Sequence, residues 1–454
     1  MFEKLLIATG GEFALRIART CERVGVTTIA VHGPRDADAP HVEPCDEAVS
    51  LESGGNDDPY ADSAAIIAAA RASGAQAVHP GDGPLAHEAS FAKEVASAGL
   101  TFIGPGPDVL ERLQGRQASR EIARQAGVRA LPSAIVTTSD VAALRELADE
   151  VGYPLRVEAA TPSEPTGGGA GPIADDEDEL EGAVHAALTR LEGNGITLML
   201  EHHLDSPRRL EVELLADAEG ECVALGEREC SVLRPGSVLL AESPAPALEA
   251  LYHGELKRRI LWDSAIRTAK EGGYVNAATA VFLMDAGGNF FFDRMVPHLQ
   301  LQHVAIEQCT GLDLVELQLR IAASEPLPSE ARNVSPAGHA IEARLVAEDP
   351  KRDFESSPGT IEALRWPTVA PGALRVETAA TPGASISADR PLVASMTTYA
   401  PTRHQALLTL DRVLAETVVA PCRTNLSLLR EILADEAFRA GQYDIGLVAR
   451  LRNA

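Results

Sequence analysis

The sequence has no apolar run long enough to cross a bilayer, and Met1-Phe2-Glu3-Lys4 begins no secretory leader. A membrane anchor and a secreted destination are therefore not expected, and the cytoplasm is the expected compartment. The six cysteines (Cys21, Cys45, Cys222, Cys230, Cys309, Cys422) are scattered and share no metal-ligand spacing. They are expected to be reduced thiols, mostly buried. There is no internal repeat and no low-complexity linker. Positive charge is the scarce sign: 40 bases stand against 66 acids, for a formal net charge of −26. Such a field repels nucleic acid and anionic membrane, so neither is an expected partner. It also means that a polyanion site must gather its own local cations.

What is present reads as globular. The chain has 454 residues, 45% of them hydrophobic and 23% charged. That is enough for roughly two to four domains with separate cores. Leu5-Leu6-Ile7-Ala8 reads as a strand, Thr9-Gly10-Gly11-Glu12 as a turn, Phe13 to Arg23 as a helix ended by Gly25, and Val26 to His32 as the next strand. This is a βαβ unit, and the pattern repeats through strands at 75–78 and 100–103. Residues 1–105 are thus expected to form a doubly wound α/β domain. Val109 to Ala126 is expected to be one linker helix, with Arg112, Arg116, Arg120 and Arg124 along one face. That face is either solvated or a basic stripe with a task.

A small α+β unit follows. Ser139 is placed to cap a helix over 141–151, and a strand at 155–159 leads into a Gly/Pro-rich loop at 161–172. A helix at 180–191 and a strand at 196–201 complete it. This order suits either a mobile lid or a plain surface module. The acidic run Asp175-Asp176-Glu177-Asp178-Glu179 suits the start of a helix and does not converge on a metal. Beyond Arg209 the chain turns β-rich, with one long helix expected at 247–271. Two apolar runs around Asp285-Ala286-Gly287-Gly288 read as a hairpin, and its second strand hands over to the polar stretch Gln300-Leu301-Gln302-His303. The Pro/Ser-rich stretch 325–337 is the best late boundary, so the expected domains are 1–105, 106–325 with a lid at about 130–203, and 326–454.

Several strings then point to a family. Ile7-Ala8, Gly11-Glu12, Ala14-Leu15-Arg16, His79-Pro80-Gly81, Phe102-Ile103-Gly104-Pro105, Pro207-Arg208 and Glu227-Arg228 come in order. Cys230-Ser231, Gly338-His339-Ala340, Ala347-Glu348-Asp349-Pro350, Ser357-Pro358-Gly359 and Thr424-Asn425 follow. Together they resemble the biotin carboxylase subunit of acyl-CoA carboxylases across essentially the whole chain. The resemblance implies an ATP-grasp fold of α/β and α+β parts, with an N-terminal doubly wound domain, a lid and a β-rich body. It implies ATP, two Mg²⁺ ions, bicarbonate, a carboxyphosphate intermediate and a biotin carrier. It also implies a homo- or hetero-oligomer with carboxylase subunits. The carrier is expected to be a separate polypeptide, with no covalent biotin here, because none of the five methionines precedes a lysine.

Position by position, much of the implied machinery is replaced. The phosphate-binding lysine of the linker helix falls on Arg116, and the second such lysine falls on Glu158. The glycine loop, which contains Gly167 and Gly168, is interrupted by Pro162 and Pro165. On the adenine side Glu201 and Leu204 remain. Of the bicarbonate and base segment only Arg234 survives. The first metal-binding glutamate falls within Thr279-Ala280-Val281 and the second on Arg294, which leaves Asp293 as the nearest metal ligand. The general-base glutamate becomes Gln302, which cannot take a proton at neutral pH. Arg344 stands where an arginine steadies the biotin enolate.

Loss of one transition-state donor costs about a hundred- to a thousandfold in rate, and several are absent together. The substitutions therefore count against ATP and Mg²⁺ as working cofactors. The expected function is a catalytically impaired homologue, a pseudoenzyme serving as a structural or regulatory subunit of an acyl-CoA carboxylase assembly. A working ATP-dependent ligase that uses Arg116, Glu201, Arg234, Arg344 and Asp293 is the alternative, and so is a nucleotide or metabolite sensor. The opposite reversals at Glu158 and Arg294 suggest that these two approach each other, directly or through water, and fill the vacated cleft.

Overall fold

The computed structural model describes residues 1–34, 36–51, 58–113, 115–137, 141–160, 171–190 and 197–453. Gly167, Gly168 and Ser139 lie outside them. The N-terminal sheet is parallel, ordered Glu47–Ser50, Thr27–His32, Lys4–Ile7, Ala77–His79, Thr101–Phe102. Alternate residues of its central strand face opposite ways, as the two-residue repeat of a strand requires. Leu5 and Ile7 pack with Phe13 and Ile17 on one face, and Leu6 packs with Ile66 and Phe91 on the other. Helix Gly11–Val24 ends at Gly25, whose φ of 75° is left-handed backbone that glycine adopts freely.

The expected linker helix is two helices, Pro107–Arg112 and Arg116–Gln125. The break falls at Gly115, with φ of 84°, so Arg112 does not share the face of the other three arginines. The long helix expected at 247–271 is likewise split, into Pro246–Glu249 and Gly254–Glu271, with His253 left-handed between them. The α+β unit is a four-stranded antiparallel sheet, ordered Ser133–Ile135, Leu198–His202, Leu155–Ala159, Ile173–Ala174. Helices Val141–Val151 and Glu177–Arg190 cover it through a small core that includes Leu155, Val157 and Leu180. The acidic run opens the second of these helices, where Asp176 accepts from the amides of Asp178 and Glu179.

The body is one antiparallel sheet of eight strands. In order these are Phe290–Val296, Asn276–Met284, Arg208–Ala216, Cys222–Arg234, Ser237–Ser243, His339–Val346, Leu392–Ala400 and Leu374–Glu377. The hairpin about Asp285–Gly288 forms as expected. The stretch 325–337 does not interrupt the sheet, because Ser237–Ser243 pairs directly with His339–Val346. Among the described residues no helix is long and apolar enough to cross a membrane.

Candidate functional site

Strand Arg208–Ala216 shows how the sheet makes a floor for a site. Leu210, Val212 and Leu214 point to one face and pack against Leu261, Ala265 and Ala269 of the long helix. Arg209, Glu211 and Glu213 point to the other face, and none is more than 1% exposed. Buried charges must find partners. Arg209 Nη2 donates to Glu211 Oε1 at 2.5 Å. From the neighbouring strand, Arg228 donates to Glu211 Oε2 at 2.8 Å and to Glu213 Oε2 at 2.6 Å. Arg228 Nη2 also reaches Gln300 Oε1 at 2.9 Å, so the floor holds the segment that follows the hairpin. Burial alone would raise the Glu211 carboxyl, but Arg209 and Arg228 outweigh it and hold it at about 2.

The wall is strand Phe290–Val296, and it carries a β-bulge. Val281 pairs with Arg294 and Phe282 with Phe292, so Asp293 is the extra residue. The bulge turns Asp293 toward helix Arg116–Gln125. There Arg120 Nη2 lies 2.5 Å from Asp293 Oδ1 and 2.5 Å from Glu201 Oε2, and Arg120 Nε donates to the Asp293 carbonyl at 3.1 Å. Burial opposes the ionised form of Asp293, yet Arg120 and Arg116 hold it well below the ordinary carboxylate range.

A cleft of about 600 Å³ opens between this floor, this wall and the N-terminal domain. Arg116, Arg209 and Arg294 line it at one end; Gln302 and Arg344 line it as well, with Glu12 and Asp82 beside them. The Glu12 carboxyl is pushed up to about 7 by burial and by Asp82, with Arg344 and Arg390 acting the other way. Gln302 is 3% exposed, and its Oε1 has no hydrogen-bond partner among the described residues.

The sequence-derived site residues separate into two groups. Arg116, Gln302 and Arg344 meet in the cleft. The others are committed elsewhere. Arg234 donates to Glu348 Oε2 at 2.6 Å and lies over the Phe354 ring. Leu204 packs against Leu131, Leu283 and Phe291. Glu201 is held by Arg120, with Arg116 Nη1 at 3.9 Å. Glu158 accepts from the Gly171 amide at 3.2 Å. Burial raises its carboxyl, and Arg116 and Arg156 are the cations that oppose this. Among the described residues Glu158 makes no ion pair with Arg294, whose carboxylate neighbour is Asp293 at 3.6 Å. A direct cross-cleft ion pair is thus not seen among the described residues.

Sequence reasoning did not place Arg209, Glu12 or Asp82 in the site, and it knew Arg120 only as one arginine along a helix face. The alternation Arg209, Glu211, Glu213 was a signal for the floor, because three charged residues at a spacing of two share one face of a strand. The arginine spacing put Arg120 on a possible basic stripe, but nothing in the local sequence pointed to its partners, which lie 81 and 173 residues away.

Mg²⁺ does not fit this site. The family resemblance assigns one metal carboxylate to a position within Thr279-Ala280-Val281 and the other to Arg294, and these segments lie on paired strands. Asp293 is 1% exposed and engaged with Arg120. Among the described residues no group of three His, Cys, Asp or Glu side chains could hold a metal ion. A guanidinium at the metal position would repel the cation.

The chain matches three family models: "Biotin carboxylase, N-terminal domain" over residues 1–110, "Carbamoyl-phosphate synthase L chain, ATP binding domain" over 115–330, and "Biotin carboxylase C-terminal domain" over 342–450. It is 36% identical to biotin carboxylase 2 of Bacillus subtilis over 97% of this chain and 98% of that one. It is also 36% identical to the biotin carboxylase of Haemophilus influenzae over 98% of each. Among solved structures it resembles the biotin carboxylase domain dimer of Hydrogenobacter thermophilus 2-oxoglutarate carboxylase, whose complex contains MgADP and bicarbonate. That match has a TM-score of 0.89 at 33% identity, over 99% of this chain and 98% of that one. The biotin carboxylase of Campylobacter jejuni also matches with a TM-score of 0.89, at 30% identity over 99% of each chain. The chain belongs to the biotin carboxylase family.

Proposed function

We propose that this chain is a biotin-carboxylase-family subunit that has lost the standard turnover and acts as a structural or regulatory member of an acyl-CoA carboxylase assembly. The observation that carries this reading is Arg294, on a strand paired with Thr279-Ala280-Val281, in the same cleft as a buried Gln302. An apolar group and a cation stand where the reaction needs two metal carboxylates, and an amide stands where it needs a base. Phosphoryl transfer depends on positioning and charge neutralisation, and these substitutions remove both at once. Arg344 remains in the cleft, but it faces Glu12 and Asp82, which compete with an anionic biotin enolate for its charge.

The assembly part of the reading draws on the relatives. One is a domain dimer, and others are alpha subunits of methylcrotonoyl-CoA and propionyl-CoA carboxylases. A partner chain with the intact residues, together with a separate biotin carrier, would supply the chemistry.

A working ligase is the second reading. It is favoured by Glu12, a cleft carboxyl at about 7 and so able to exchange a proton near neutral pH. One assay separates the two. The purified chain is given ATP, Mg²⁺, bicarbonate and free biotin, and ADP release is followed. Release no faster than without bicarbonate is the expected result. Bicarbonate- and biotin-dependent release would overturn the proposal.

A further inference from the structure

Hydrogen-bond acceptors gather at the Gln302 end of the cleft. Gln302 is 3% exposed, and its Oε1 has no hydrogen-bond partner among the described residues. A buried acceptor without a donor is costly, so a donor brought by a ligand is favoured there. Glu12 and Asp82 open onto the same space. Burial and Asp82 push the Glu12 carboxyl up to about 7, and Arg344 and Arg390 do not outweigh them. An ammonium group carries three donors and one positive charge, which suits an unpaired amide oxygen beside two carboxyls. Arg344 lines the cleft as well, and its Nε lies 3.5 Å from Glu342 Oε1. A guanidinium matches the two oxygens of a carboxylate. Apolar surface completes this end: Leu301 precedes Gln302, and Leu392 stands on the strand paired with that of Arg344.

We propose that this end of the cleft binds an aliphatic α-amino acid as its zwitterion, with the ammonium among Glu12, Asp82 and Gln302, the carboxylate on Arg344 and the side chain against Leu301 and Leu392. The charge of the whole chain favours a zwitterion over a plain anion. A net −26 repels a lone carboxylate, whereas the zwitterion brings its own cation. Discrimination follows from the same groups. An analogue without the amine leaves the acceptors unpaired, and one without the carboxylate leaves Arg344 facing a cation. Sites built on polar contacts reject ligands that lack one of them. The inference deepens the regulatory reading and rests on it, because this space is free for such a ligand only in a chain that does not carboxylate biotin.

The test is calorimetric titration of the full chain with L-valine and with L-leucine. The tighter binder is compared with its deaminated and decarboxylated analogues: 3-methylbutanoate and 2-methylpropylamine for valine, 4-methylpentanoate and 3-methylbutylamine for leucine. One site per chain is expected, with each analogue at least about tenfold weaker than the amino acid. Arg344→Gln should weaken the amino acid and narrow its advantage over the amine. Asp82→Asn, at a position open to the cleft, should weaken it and narrow its advantage over the carboxylate analogue. These opposite changes in selectivity would not arise from a general loss of structure. Arg259→Ala, at an exposed position of the long helix, should bind like wild type. No binding of either amino acid to the folded chain would overturn the inference, as would an analogue that binds as tightly as its parent. An ADP-release assay on the same preparation separates the two failures. An inert chain that binds neither amino acid sinks this inference alone, whereas release that depends on bicarbonate and biotin overturns both readings.

Discussion

Arg120 and Asp293 meet through both side chain and main chain: Nη2 lies 2.5 Å from the carboxylate and Nε 3.1 Å from the carbonyl of the same residue. Arg120 is fully buried and Asp293 is 1% exposed. Because Arg120 also holds Glu201, one guanidinium ties the helix after the break, the bulged wall strand and the sheet of the α+β unit to one point.

Removing one partner from a buried ion pair costs about 3–5 kcal/mol, because a charge is left without compensation. Arg120→Leu should lower stability by about that amount in urea unfolding. The double variant Arg120→Leu/Asp293→Leu should recover part of the loss, because two apolar groups then replace two charges. A loss within about 0.5 kcal/mol of zero for Arg120→Leu, the range typical of surface changes, would show that the pair is not a fixed part of the fold.

Glu12 predicts a pH dependence. Its folded-state pKa is about 7 against an ordinary 4.5, so the folded chain keeps this proton longer than the unfolded chain does. Between those two values the folded state binds more protons, and stability falls as pH rises through the window. Asp82 is raised by burial and acts in the same direction, while Arg344 and Arg390 oppose both. The melting temperature of Glu12→Gln should therefore fall less steeply than that of wild type between about pH 5 and 7. Parallel curves would refute the assignment.

Glu158 should couple to Arg116 more strongly than to Arg294. A double-mutant cycle of Glu158→Ala with Arg294→Ala is expected to be additive within about 0.5 kcal/mol. The cycle with Arg116→Ala should show the larger interaction energy. The opposite ranking would restore the cross-cleft pair suggested by the charge reversals.

The hairpin and the parallel N-terminal sheet were legible in the sequence because local periodicity fixes them. Leu5, Leu6 and Ile7 announce a strand buried on both faces. The arginine spacing in 109–126 was legible as well, but the repeat ran across the break between the two helices, the first ending at Arg112 and the second starting after Gly115, whose φ is 84°. Spacing could say that Arg116, Arg120 and Arg124 share a face. It could not say that Arg120 would be fully buried against carboxylates from two distant strands while Arg124 stayed near the surface beside Glu121. The site was half visible for the same reason. Substituted positions can be read one at a time, whereas the joining of Arg116, Arg209 and Arg294 into one wall depends on pairings between strands far apart in sequence.

The pairing of Ser237–Ser243 with His339–Val346 has a consequence for how this molecule can be divided. A cut within 325–337 severs the polypeptide but leaves that ladder intact, so the two pieces stay associated. Expressed apart, each would present a long, largely buried strand with open amides and carbonyls, the kind of edge that recruits other chains. The last quarter of the chain therefore completes the same sheet, and exchange of this segment between relatives must preserve the seam as well as the cleft.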